Sequence, residues 1–106
     1  MISSSEKILQ LIKQGEGLEL EFKEARTRLN RDVFETACAF MNRIGGTILV
    51  GISDKGEIKG VDVQHAAQMK KDFVTAINNP QKISPPAYLS VDEMTLENKL
   101  ILRIYV

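Results

Sequence analysis

Residues 47–52, Thr-Ile-Leu-Val-Gly-Ile, limit more than any other stretch what this chain can fold into. The run has strand length and shows none of the polar alternation that a sheet wetted on one side imposes. A strand of this kind is covered on both faces and lies inside a sheet, as its central strand. The flanks agree. Upstream, "DVFETACAFMNRIGG" sets Val33, Phe34, Ala37, Phe40, Met41 and Ile44 at helical spacing, and Gly45 and Gly46 stop the helix. Downstream, "SDKGEIKGV" supplies Asp54, Lys55 and Gly56 as hairpin residues, so Glu57 to Val61 is expected to return as a strand.

The other segments complete a layered domain. In "SSSEKILQLIKQGE", Ser3 and Glu6 form a capping box, Gly15 is the stop, and Ile8, Leu11 and Ile12, with Leu9 beside them, make the apolar stripe of a first helix. In "GEGLELEFKEA", Leu18, Leu20 and Phe22 alternate as one face of a strand, with Glu19, Glu21 and Lys23 on the other. "KEARTRLNR" has no apolar periodicity and reads as an exposed basic loop. "DVQHAAQMKKDFVTAINNP" gives a third helix, with Ala66, Met69, Phe73 and Ile77 on one face and Pro80 past its end. "QKISPPAY" reads as a rigid linker, and "YLSVDEMTLENKLILRIYV" as a hairpin about Glu97-Asn98. The order α-β-α-β-β-α-β-β predicts an α+β fold: three helices on a mixed, mainly antiparallel sheet of about five strands.

The length of 106 residues suits one domain spanning the whole sequence. Fourteen basic and fourteen acidic side chains cancel, so bulk charge argues for neither nucleic acid nor a membrane surface. No signal peptide is recognisable, and no apolar run nears the ~20 residues that span a bilayer. The cytoplasm is therefore the expected location. Cys38, the one cysteine, cannot form an internal disulfide and is expected to pack as a buried hydrophobe. His65 has no partner at metal-ligand spacing and is expected to be exposed on its helix. The ending "LILRIYV" stops in mid-strand without a polar tail, which suggests an N-terminal domain taken from a longer protein.

Two groups of residues carry potential chemistry. Glu16 and Glu21 flank the first strand, and Asp54 sits at the tip of the central hairpin. If the two strands are neighbours, these carboxylates meet at one sheet end and offer oxygen ligands to Mg²⁺ or Mn²⁺, which activate water in phosphodiester hydrolysis. The alternative is a solvated strand face and an ordinary turn aspartate. Lys23, Arg26, Arg28 and Arg31, with Arg43 on the second helix, form a local basic group. Such a group either contacts phosphates or is a solvated loop. Phe22 and Phe34 read as core, leaving no aromatic interleaving for stacked bases. The glycine pair lies between a helix and a strand, the reverse of a phosphate loop, so it reads as a helix cap with a tight turn.

Taken together, these motifs resemble the Schlafen-type AlbA domain, the second AlbA-like family, which is also described as a divergent AAA domain. The resemblance rests on Glu16, Glu21, Phe22 and Lys23; on Ala39, Phe40, Asn42, Gly45 and Gly46; and on Gly51, Asp54, Gly56 and Gly60. It is tight over residues 16–61 and holds in element order over the whole chain. It implies a DNA-binding module of a prokaryotic transcriptional regulator, joined to further C-terminal domains. The ATP binding loosely attached to the family finds no phosphate loop here. In animal Schlafen proteins the related fold is similar to a metal-dependent RNase, whose two glutamates and one aspartate fall on Glu16, Glu21 and Asp54. That nuclease core pairs two lobes where this chain offers one, so a homodimer would have to supply the second. Partner regions of helicase-like or winged-helix type are not in this sequence. Three readings stand at this point: binding of DNA or RNA through the basic group, metal-dependent cleavage through the three acids, and a dimerisation or sensing module whose acids are structural.

Overall fold

The first two helices begin where a side chain satisfies an unpaired backbone amide. The computed structural model describes residues 3–43, 45–78 and 89–106. Helix α1, Ser4–Gln14, starts as the capping box predicts: Ser3 Oγ accepts the Glu6 N–H at 3.2 Å. It ends at Gly15, whose φ of 87° lets its N–H reach the carbonyls of Leu11 and Ile12. Helix α2, Arg31–Met41, is capped by Asn30 Oδ1 on the Val33 N–H at 3.3 Å. The lead into α3, Ala66–Ile77, is fixed by Asp62, whose Oδ1 accepts the Gln64 N–H at 2.8 Å.

The strands are β1 Leu20–Lys23, β2 Thr47–Val50, β3 Ser90–Leu96 and β4 Lys99–Tyr105, in the sheet order β1-β2-β4-β3. β1 runs parallel to β2, in register from Leu20–Thr47 to Lys23–Val50, and the other two pairings are antiparallel. The fold is thus α+β with a mixed sheet, as the sequence predicts. The Glu97-Asn98 turn joins β3 to β4 with both residues at positive φ, as a tight two-residue hairpin turn requires.

β2 is internal and covered on both faces. Ile48 and Val50 enter a core with α2 and α3, which contribute Val33, Ala37, Met69 and Phe73. Leu49 points the other way into a second core with Ile8 and Ile12 of α1 and Phe22 of β1. Pleating therefore explains the unbroken apolar run: alternate residues feed opposite layers. Within the first core, Phe34 and Phe73 stack with ring centroids 5.3 Å apart.

Four expectations need correction. Among the described residues the sheet has four strands, because residues 57–61 do not return as a strand; one Ile52–Ile58 bridge forms. Gly51, at φ 106°, turns its carbonyl to the N–H groups of Lys59 and Gly60, and the Val61 N–H goes instead to Leu100 on β4. Leu18 is not on the β1 face; it is 79% exposed in the turn before the strand. Leu11 lies at the edge of its stripe and is 38% exposed. Cys38 is half-buried and lines a groove between α2 and α3. Ile44, Pro80 and the linker reading of residues 81–88 fall outside the described residues.

Candidate functional site

Parallel pairing puts the carboxyl ends of β1 and β2 at one edge of the sheet, so the loops that follow them emerge together. In α/β units that edge is where ligands usually meet the fold. After β1 comes the segment holding Arg26 and Arg28, which leads into α2 at Arg31; after β2 comes the turn holding Asp54. That turn is pinned in place. The N–H groups of Gly51 and Ile52 both donate to the Lys23 carbonyl, at 2.7 and 3.2 Å, and Ser53 Oγ accepts the Glu57 N–H at 3.0 Å.

The acids assemble around Glu21. A reverse turn closes between Gly17 and Leu20, with the Gly17 N–H donating to the Leu20 carbonyl at 3.0 Å, and it folds Glu16 back beside β1. Glu16 Oε1 then accepts the Phe22 N–H at 3.0 Å. β1 is an edge strand, so this carboxylate occupies the place a neighbouring strand's carbonyl would take. Glu21 lies on the α2 side of β1, half-buried. Its carboxyl is held above the ordinary 4.5, first by burial and then by the charge of Glu16; Lys23 opposes the shift, while Asp32 and Asp54 add to it. Of the three acids named from the sequence, Glu21 therefore feels the charges of the other two, with Asp54 the weakest contributor.

Asp32 is the member that sequence reasoning missed. It sits in the first turn of α2 and forms an ion pair with the Lys23 ammonium, which also lies 3.9 Å from Glu21 Oε2. The signal that points to it is topological: a helix linking two parallel strands starts above the carboxyl end of the first one. Glu19 is exposed and contributes its backbone carbonyl, accepting the Thr47 N–H at 2.9 Å.

Among the described residues, no three His, Cys, Asp or Glu side chains converge closely enough to hold a metal ion. One Glu16 oxygen is committed to a backbone amide, and Lys23 already supplies positive charge between Glu21 and Asp32. In this arrangement the residues do not fit a preformed Mg²⁺ or Mn²⁺ site.

Of the basic residues, Arg26, Arg28 and Arg31 share the β1–α2 connection and are exposed. Arg31 Nε is 3.9 Å from Glu35 Oε1, a solvated pair of little strength. The Arg26 carbonyl accepts the Asp62 N–H at 2.7 Å, fastening the connection to the lead of α3. Lys23 is spent internally. Arg43 follows the far end of α2, on the order of 15 Å from Arg31 by helix rise.

The motif residues serve the backbone at both ends of β2. Asn42 is the C-cap of α2, and the Gly45 N–H returns to the Phe40 carbonyl at 3.0 Å. A Cβ on Gly46 would stand 2.8 Å from the Phe40 ring, and one on Gly51 would stand 3.1 Å from the Gly60 Cα. Gly56, at φ 85°, turns the chain after Asp54.

A family model described as Schlafen, AlbA_2 matches residues 16–106. The chain belongs to the Schlafen AlbA_2 family. The match begins at Glu16, so the whole acidic group and basic connection of this AlbA_2 domain lie inside it, and α1 lies outside. Among solved structures, the domain is similar to the N-terminal domain of a RecG-related protein from Nitrosomonas europaea, provisionally described as an ATP-dependent DNA helicase. That likeness has a TM-score of 0.68 at 22% identity and covers 99% of this chain and 73% of that one. It is also similar to the DIP2311 protein from Corynebacterium diphtheriae, with a TM-score of 0.64 at 17% identity. There it covers 94% of this chain and only 24% of that one. At such identities the likeness is one of fold. No curated protein matches the chain.

Proposed function

We propose that this AlbA_2 domain binds nucleic acid, DNA in the first instance, through Arg26, Arg28 and Arg31, as one module of a longer protein. The observation that carries the reading is the placement of these guanidinium groups. They are exposed on one connection at the carboxyl edge of the parallel strands, with Glu35 3.9 Å from Arg31 and the Asp62 carboxylate close enough to Arg26 to sense its charge. Guanidinium groups so placed bind phosphate oxygens and release counterions, whatever the net charge of the domain. The fold likeness to the N-terminal domain of a helicase-related protein supports DNA as partner and a multidomain setting.

A second reading, metal-dependent hydrolysis by Glu16, Glu21 and Asp54, is favoured by one observation: Glu16 and Asp54 both press on the Glu21 carboxyl. Their present arrangement does not fit a divalent cation, and it supports no hydrolytic step.

One experiment separates the readings. Labelled single- and double-stranded DNA and RNA are titrated with the domain in EDTA and again with Mn²⁺, with binding and cleavage read in the same samples. Binding in both buffers without cleavage supports the binding module. Cleavage only with Mn²⁺, lost in Glu21→Gln with the fold intact, supports hydrolysis. Stable self-association with neither signal leaves a dimerisation or sensing role.

A further inference from the structure

We infer that Asp32 is an internal stand-in for phosphate, occupying the Lys23 ammonium that a nucleic-acid phosphate would otherwise take and so holding Lys23 out of the interface. The inference rests on the binding reading above and adds a brake to it.

The pair lies where such an exchange is feasible. The Lys23 side chain is only 15% exposed, because its stem runs along the α2 side of β1, but the carboxylate it reaches is 57% exposed. The ion pair is therefore at the surface end of the lysine rather than in the core. Asp32 follows Arg31 directly, so a phosphate docked on the exposed arginines arrives beside the pair. A phosphate oxygen is an acceptor of the same kind as the carboxylate oxygen, and both form charge-assisted hydrogen bonds to an ammonium.

Two features keep the exchange close to balance. Asp32 lies in the first turn of α2, where the partial positive charge of the helix end favours an anion, so Asp32 retains a favourable setting when Lys23 leaves. Asp32 is more than half exposed, so water can solvate its carboxylate once the lysine leaves. Opposing the exchange, Glu21 lies 3.9 Å from the same ammonium, and Glu16 and Asp54 add negative charge around it. With Lys23 neutralised by its neighbours, this edge offers phosphate the three arginines alone; with Lys23 turned outward, it gains a fourth cation beside them.

The test uses wild type, Asp32→Asn, Lys23→Gln and the double variant on one DNA duplex, with affinity measured across a salt series. Thermal melts check the fold, and Asp32→Ser serves as a second neutral replacement suited to a helix start. Asp32→Asn is expected to tighten binding severalfold and to steepen the slope of log K against log salt by about 0.9, one phosphate contact. Lys23→Gln alone is expected to leave both unchanged, and the double variant to behave as wild type. If the double variant keeps the gain, the effect is bulk charge and the brake is refuted. Weakening by Lys23→Gln would also refute it, since the lysine would already be engaged. Arg26→Gln/Arg28→Gln tests the underlying reading separately: loss of binding there, with no gain in Asp32→Asn, retains the interface and removes the brake. No binding by wild type or by Asp32→Asn overturns both, whereas binding gained only by Asp32→Asn supports both.

Discussion

Removing the exposed arginines one at a time is the most informative perturbation of the proposed interface. Three guanidinium groups, those of Arg26, Arg28 and Arg31, are exposed on the β1–α2 connection, while Lys23 is paired and Arg43 lies at the other end of α2. If each engages one phosphate, the slope of log K against log salt is about −2.7 on duplex DNA and about −2.1 on a single strand. Raising salt from about 50 to about 200 mM then weakens duplex binding roughly 40-fold and single-strand binding roughly 18-fold. Arg28→Gln lowers the duplex slope to about −1.8, so the same salt step costs only about 12-fold. Fluorescence anisotropy with a labelled oligonucleotide gives both slope and affinity. Thermal melts should show stability within about 0.5 kcal/mol of wild type, since the removed group is exposed. A wild-type slope near zero refutes the interface. So does an Arg43→Gln variant that flattens the slope as much as Arg28→Gln, because the two sites lie a helix length apart.

Three further outcomes test how the site is built. Asn30→Ala removes the oxygen that accepts the Val33 N–H and should cost about 1 kcal/mol in urea unfolding. Gly51→Ala forces a side chain into a backbone at φ 106° and against Gly60; chemical denaturation should show a loss of roughly 1–3 kcal/mol, with shifted amide resonances in the turn carrying Asp54. For Glu21 the sign follows from its raised pKa. The fold favours the protonated carboxyl, so this group's contribution is fully present below 4.5 and is lost as pH rises through the higher folded value. Glu21→Gln, neutral throughout, should therefore melt above wild type at neutral pH and lose that advantage below 4.5.

Most of the scaffold is legible because its signals are local. The unbroken run at Ile48, Leu49 and Val50 announces a strand with a core on each side, and both cores are present. The Ser3 cap and the Glu97-Asn98 turn are likewise written in adjacent residues. What escapes the sequence is decided at long range. Residues 57–61 have strand composition, but Gly51 and Gly60 bend the chain so that the Val61 N–H finds Leu100 and no ladder grows. Asp32 has nothing in its local sequence to link it to Glu21; the crossover through α2 places it beside Lys23.

The acidic group shows how a motif can be present in sequence while its reason is hidden. Five positions separate Glu16 from Glu21, and on one extended strand an odd separation would put them on opposite faces, about 16 Å apart. Glu16 acts on Glu21 because the chain is not extended there: the turn closed between Gly17 and Leu20 lays Glu16 alongside β1. Leu18, 79% exposed at that turn, is the visible trace of it, since an apolar side chain on the β1 core face would have been buried like Leu20 and Phe22. The charge on Glu16 that helps hold the Glu21 carboxyl up thus depends on the Gly17 turn as much as on either glutamate. A residue that straightens residues 17–20 should release the Phe22 amide and remove the push of Glu16 on the Glu21 carboxyl without touching either acid.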